Sequence, residues 1–131
     1  REGTKVFIAA AGLAAHLAGA VAAVTSRPVI GVPMAGGSLQ GVDALYSMVQ
    51  MPGGVPVATM AIGKHGARNA AVLAAQVLAL SDDGLAERLR EYKKELENSV
   101  DEKDRELSRS GNVSADTVSD AIQKLTPEGE R

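Results

Sequence analysis

The 131-residue sequence predicts an α/β protein whose parallel sheet is covered by helices on both faces. Short, continuous apolar runs alternate with Ala-rich or amphipathic segments, and each strand-plus-helix unit takes about 25 residues, the length of a right-handed crossover. The runs are apolar at successive positions instead of every second one, as in strands buried on both sides. Aromatic residues make up only 2% of the chain, so the core is built from small side chains, suiting Ala-rich helices laid flat on a Val/Ile-rich sheet.

The elements follow in order. Val6–Ala10 (VFIAA) is a buried strand, Gly12 a turn, and the Ala-rich stretch from about Ala14 to Val24 a helix. Pro28–Val32 is a second strand, ended by Pro33 and a loop through Ala35-Gly36-Gly37-Ser38. Between Gln40 and Gln50, residues Val42, Leu45, Tyr46 and Val49 fall at helical spacing. Pro52-Gly53-Gly54 breaks that helix. Val55–Ile62 is the third strand, with Pro56 at its start because proline cannot donate to a ladder. An Ala-rich helix runs from about Ala67 to Leu80. Ser81 or Asp82 caps a further helix with Leu85, Leu89, Tyr92 and Leu96 on one face. The sequence therefore divides into an α/β domain over residues 1–100 and a polar tail over 101–131, with one short helix around Ser114 to Leu125, where Val118, Ile122 and Leu125 share a face.

Three parallel strands leave long apolar edges, which proteins rarely expose. Further strands are expected, N-terminal to this segment or from a partner, and the isolated chain is expected to associate or to be poorly soluble.

The composition excludes several classes. A formal charge of −2 and dispersed Lys and Arg give no footprint for nucleic acid. Without cysteine there are no disulfides or thiolate metal sites, and no metal-ligand spacing is present. No apolar stretch approaches a membrane span, and no signal peptide is visible. The expected location is the cytoplasm.

The segment from Ala9 to Gly19 (AAAGLAAHLAG) leaves the C-terminal end of a parallel strand and enters a helix. In open α/β sheets ligands bind there, because helix N-terminal amides face outward and small residues permit close approach. By itself the segment is neither a dinucleotide fingerprint nor a P-loop. His16 within it reads from residue type alone as a hydrogen-bonded structural histidine. His65 falls in a polar turn before a helix and takes no role. Ser38, Gln40 and Asp43 read as capping residues of the helix that follows them.

These segments, in this order, resemble the PurE family of carboxyaminoimidazole ribonucleotide mutases. The resemblance lies in VFIAAAGLAAHLAG (6–19), RPVIGVPMAGGSLQGVDALYSMVQMPGGVPVATMAIG (27–63) and NAAVLAAQVLAL (69–80). Its most specific part is GVDALYSMVQMPGGVPVAT, residues 41–59. It implies a flavodoxin-like three-layer α/β/α fold lacking its N-terminal strands here and closed by a C-terminal helix, and a homo-octamer with active sites at subunit junctions. It also implies transfer of a carboxylate from the exocyclic nitrogen of an aminoimidazole ribonucleotide to ring carbon C4, with no cofactor. Carried over by position, Ala11, Gly12, Leu13, Ala14, Ala15, His16 and Leu17 form the substrate-binding loop. His16 becomes an active-site loop candidate and not the proton-transfer base, while Gln50-Met51-Pro52 shapes the subunit junction.

The family loop is commonly AGAGGAAHLPG, and this chain has Ala10, Leu13 and Ala18 instead. Either Leu13 has negative φ or the loop path differs. The family's Gly-Ser-x-Ser-Asp phosphate loop and its Ser-Ala-His-Arg segment have no counterpart, so the catalytic residues stay unassigned and the chain is expected to be incomplete as a catalyst. The expected function is that mutase step of purine biosynthesis. The alternatives are a non-catalytic assembly module of the same family and a carboxylase using CO2 directly.

Overall fold

The computed structural model describes residues 3–110. Three parallel strands, β1 (Phe7–Gly12), β2 (Val29–Met34) and β3 (Ala58–Thr59), form a sheet in the order β1-β2-β3. Among the described residues four helices, α1 (His16–Val24), α2 (Val42–Val49), α3 (Lys64–Ala79) and α4 (Asp83–Ser110), give the order βαβαβαα. The expected parallel α/β architecture is borne out. The short helix expected near Ser114 to Leu125 lies outside the described residues. Residues up to Leu89 form one compact unit, and a second begins at Arg90.

The central strand explains the layering. Val29 joins Ala9, Ala15, Ala18, Ala44 and Met48 on the α1/α2 side, whereas Ile30 and Val32 join Ala70 on the α3 side. Adjacent β2 residues therefore serve opposite cores, as the two-residue period of a strand demands. Five of the six β2 residues are buried, which is why this segment is apolar at every position. Gly31 faces the first core, where a methyl group would meet Val57 and Met48 at 2.8 and 3.0 Å. The helices lie so close to the sheet that no larger residue fits there.

Two boundaries differ from those read in the sequence. Strand β2 runs through Pro33 to Met34, with Pro33 opposite Ala11. Pairing with β3 ends at Gly31↔Thr59, so the amide proline lacks has no ladder partner to lose, while the Pro33 carbonyl accepts the Gly63 N–H at 2.8 Å. Conversely, only Ala58 and Thr59 of the expected third strand are ladder-paired, with Met60 N–H adding a bond to the Gly31 carbonyl at 2.9 Å. The rest of Val55–Ile62 lies outside a ladder.

Helix α4 starts where expected, with Asp82 Oδ1 accepting the Leu85 N–H at 2.9 Å. It then continues to Ser110, past the change to polar composition at residue 101. Strong helix formers fill residues 85–109 without Gly or Pro, so local propensity carries the helix on. Among the described residues no helix is long and apolar enough to cross a membrane.

Candidate functional site

Strain marks one end of the sheet. Among the described residues three non-glycine positions have positive φ: Leu13 (55°), Ala15 (35°) and Gln40 (51°). All three lie in loops leaving the C-terminal ends of β1 and β2, and Gly37, Gly41 and Gly63 add positive φ in the loops after β2 and β3. Each left-handed non-glycine residue costs roughly 1–3 kcal/mol, and such costs collect where a precise backbone path serves a ligand. This is also the end at which open α/β sheets bind ligands.

The first loop is a tight turn from Gly12 to Ala15, closed by the Ala15 N–H donating to the Gly12 carbonyl at 3.0 Å. Ala15 is buried in the α1/α2 core and fixes the turn, while Leu13, Ala14 and His16 face outward. Helix α1 begins at His16 with no side-chain cap on its N-terminal amides. The negative φ that the sequence allowed for Leu13 is not what the structure has: at 55° its backbone takes the left-handed path that glycine favours. Its side chain reaches the loop after β2, with Cδ2 2.8 Å from where a Gly37 Cβ would sit.

The second loop is organised differently from expectation. The N-cap of α2 is Gly41, without a side-chain cap bond. Gln40 Nε2 donates to the Gly37 carbonyl at 3.2 Å, stabilising its own loop, and the Asp43 Oδ1 atom is buried with no hydrogen-bond partner among the described residues. Ser38, Gln40 and Asp43 are therefore not caps of α2. Gly41 is irreplaceable for another reason: besides its φ of 91°, a Cβ would stand 2.8 Å from Ile62 and about 3.1 Å from Ala35 backbone.

Ala14, Ala15 and His16 line a cleft of about 370 Å³ along α1, shared with Gly19, Ser47, Met51, Pro52 and Val55. Met51 packs over Gly19, its Sδ and Cε 3.4 Å from a hypothetical Cβ, and so draws the loop after α2 against α1. The structure thus brings His16 together with the Met51-Pro52 loop. Ala11, Gly12, Leu13 and Leu17 do not line this cleft: Ala11 and Gly12 end β1, Leu13 covers Gly37, and Leu17 is exposed on α1. His65 is an exposed residue of α3. A larger hollow, about 490 Å³ between Thr25–Val29 and Gly54, Pro56 and Ala58, includes none of the candidate residues. Sequence reasoning read Gln40 as a cap and missed its left-handed backbone, because glutamine carries no signal for positive φ.

The AIR carboxylase family profile matches residues 1–99. The chain belongs to the AIR carboxylase family. Among similar proteins, the N5-carboxyaminoimidazole ribonucleotide mutase of Synechocystis is 54% identical over 111 residues, covering 85% of this chain and 62% of the relative. The mutase of Escherichia coli K12 is 58% identical over 93 residues, covering 71% of this chain and 55% of the relative. That of Thermotoga maritima is 50% identical over 110 residues, covering 84% and 63%. The chain thus spans 55–63% of the length of these relatives. The family match includes the whole strained loop system and the cleft of His16, Met51 and Pro52.

Proposed function

We propose that this chain is the larger part of a cytoplasmic mutase of purine biosynthesis. It would convert N5-carboxyaminoimidazole ribonucleotide to 4-carboxy-5-aminoimidazole ribonucleotide. The observation that carries the proposal is the strained loop at Leu13–Ala15, kept in left-handed geometry although leucine replaces a glycine there. A drifting, unused loop would relax to an uncosted path; this one is held.

In the reaction the bond from the exocyclic nitrogen to the carboxyl carbon breaks and a bond from ring C4 to that carbon forms. The C4 proton leaves to a base, and the nitrogen regains a proton. Residues Ala11–Leu17 would form the wall of the slot that confines the migrating CO2, their short side chains exposing backbone donors and excluding water. His16, at the first turn of α1 and facing the cleft, would hold a polar group of the substrate. The proton-transferring base is not assigned to it. The exposed face of α2 and the Met51-Pro52 loop would form a junction between subunits of a homo-oligomer, the octamer implied by the resemblance.

An ultraviolet assay on N5-carboxyaminoimidazole ribonucleotide tests this, using the chain alone and the chain fused to the N-terminal segment of a relative. Turnover only by the fusion supports the proposal. Failure of both turns it over in favour of a non-catalytic assembly module, and a requirement for bicarbonate in favour of a direct carboxylase.

A further inference from the structure

From Pro28 to Gly63 the chain carries a single charged residue, Asp43, in the first turn of α2. The outward side of that helix is nonetheless open: Val42 is 44%, Tyr46 61% and Val49 54% exposed. An apolar helix face with so little charge around it has the composition of an interface core, from which charged residues are depleted.

The distribution of side chains around α2 identifies the occupant. Ala44 and Met48 point into the first core and are fully buried. At about 100° per residue, Tyr46 then stands at the crest of the opposite side. Val42 and Val49 lie on one flank of that crest, and Asp43 and Gln50 on the other. Asp43 brings a carboxylate acceptor to the start of the helix, whereas Gln50, exposed at its end, brings amide donors. Two helices that face each other across a perpendicular two-fold axis run antiparallel and meet like flank to like flank. A parallel neighbour would lay the Asp43 flank against valines instead. With the axis through Tyr46, the antiparallel register places Val42 beside Val49 of the second copy and Asp43 beside its Gln50. One register serves both pairs, because 42 and 49, like 43 and 50, are spaced almost evenly about position 46. It also keeps the two Asp43 carboxylates at opposite ends of the contact. The face is therefore complementary to itself, as an isologous contact requires.

We propose that α2 pairs antiparallel with α2 of a second copy about a two-fold axis through Tyr46. The inference rests on the reading of the α2 face as a subunit junction and names the element that meets it. Because the chain has no cysteine, single cysteines report the pair directly. Under mild oxidation, Tyr46→Cys gives a covalent dimer, while Gln76→Cys, exposed on α3, does not. Val42→Cys and Val49→Cys crosslink when mixed and only weakly when each is alone. With Tyr46 intact, Gln50→Lys raises the dimer fraction about twofold or more by placing an ammonium beside Asp43 of the second copy, and Gln50→Glu lowers it. A Tyr46→Cys yield no greater than that of Gln76→Cys overturns the proposal. So does stronger crosslinking of Val42→Cys with itself than with Val49→Cys, which would mean a parallel pair. Equal dimer fractions for Gln50→Lys and Gln50→Glu would take Asp43 out of the contact and overturn it too. Loss of the Tyr46→Cys crosslink in the fusion to a relative's N-terminal segment would make that segment the occupant, with the same consequence. None of these readouts is turnover, so a failed pair leaves the mutase reading standing and an inactive fusion leaves the pair standing.

Discussion

Leu13 and His16 show how differently two neighbouring residues can be read. A leucine at φ 55° is strained by roughly 1–2 kcal/mol, and part of that cost is offset by its contact across Gly37. A β-branched residue would be strained further without that reach. We expect Leu13→Val to melt about 4 °C or more below Leu13→Gly, since about 1 kcal/mol moves the midpoint of a domain this size by that amount. Equal midpoints, followed by circular dichroism, would mean the left-handed path costs nothing. His16 is exposed and contributes little packing, so His16→Ala should leave the melting point within error. In the active fusion it should lower kcat/KM about tenfold or more, the loss of one charge-assisted hydrogen bond. An unchanged kcat/KM would remove His16 from the site. The turn itself was legible in the sequence, because small residues between a buried strand and an Ala-rich helix mark a tight strand-to-helix connection. Its strain was not, because leucine and glutamine give no hint of positive φ, and the orphaned Asp43 oxygen is a tertiary fact invisible to spacing.

Among the elements, α2 was legible in period and incomplete in meaning. Its apolar residues occupy two faces. Ala44 and Met48 are fully buried in the first core, while Val42, Tyr46 and Val49 point outward, Tyr46 being 61% exposed. A single amphipathic stripe would have needed only one of these faces. The outward face has the character of a contact surface, and Tyr46→Glu should split the proposed oligomer of the fusion into smaller species by light scattering, with an unchanged far-ultraviolet spectrum. Unchanged mass would place the junction elsewhere. The start of α3 shows the converse, a constraint that no periodicity reveals. Gly66 is buried against the Ala61 carbonyl so closely that a methyl group would overlap it. Gly66→Ala should therefore destabilise by about 1–3 kcal/mol despite its better helix propensity, a drop in thermal midpoint that a purely propensity-driven helix would reverse.

For the molecule as a whole the deciding feature is the β1 edge. Strand β2 has a neighbour on each side, but β1 ends the sheet, with six residues paired on one side only among the described residues. Ile8 is about half exposed and Ala10 is exposed, so the strand presents apolar side chains beside unpaired backbone groups. That combination favours addition of another strand. The parallel order was legible from the repeated strand-helix units, and so was the open edge, since buried-type strands at a sheet margin contradict each other physically. Which segment covers the edge is not encoded in the residues of β1, because any apolar strand satisfies the same ladder. Supplying the N-terminal segment of a relative, fused in frame, should convert concentration-dependent association of the chain into a species of fixed mass with cooperative unfolding. Sedimentation across a range of concentrations distinguishes the cases. If the fusion associates as the chain alone does, the β1 edge is not what drives association. If the chain alone is already monomeric and unfolds cooperatively, the edge is tolerable and the sheet needs no further strand.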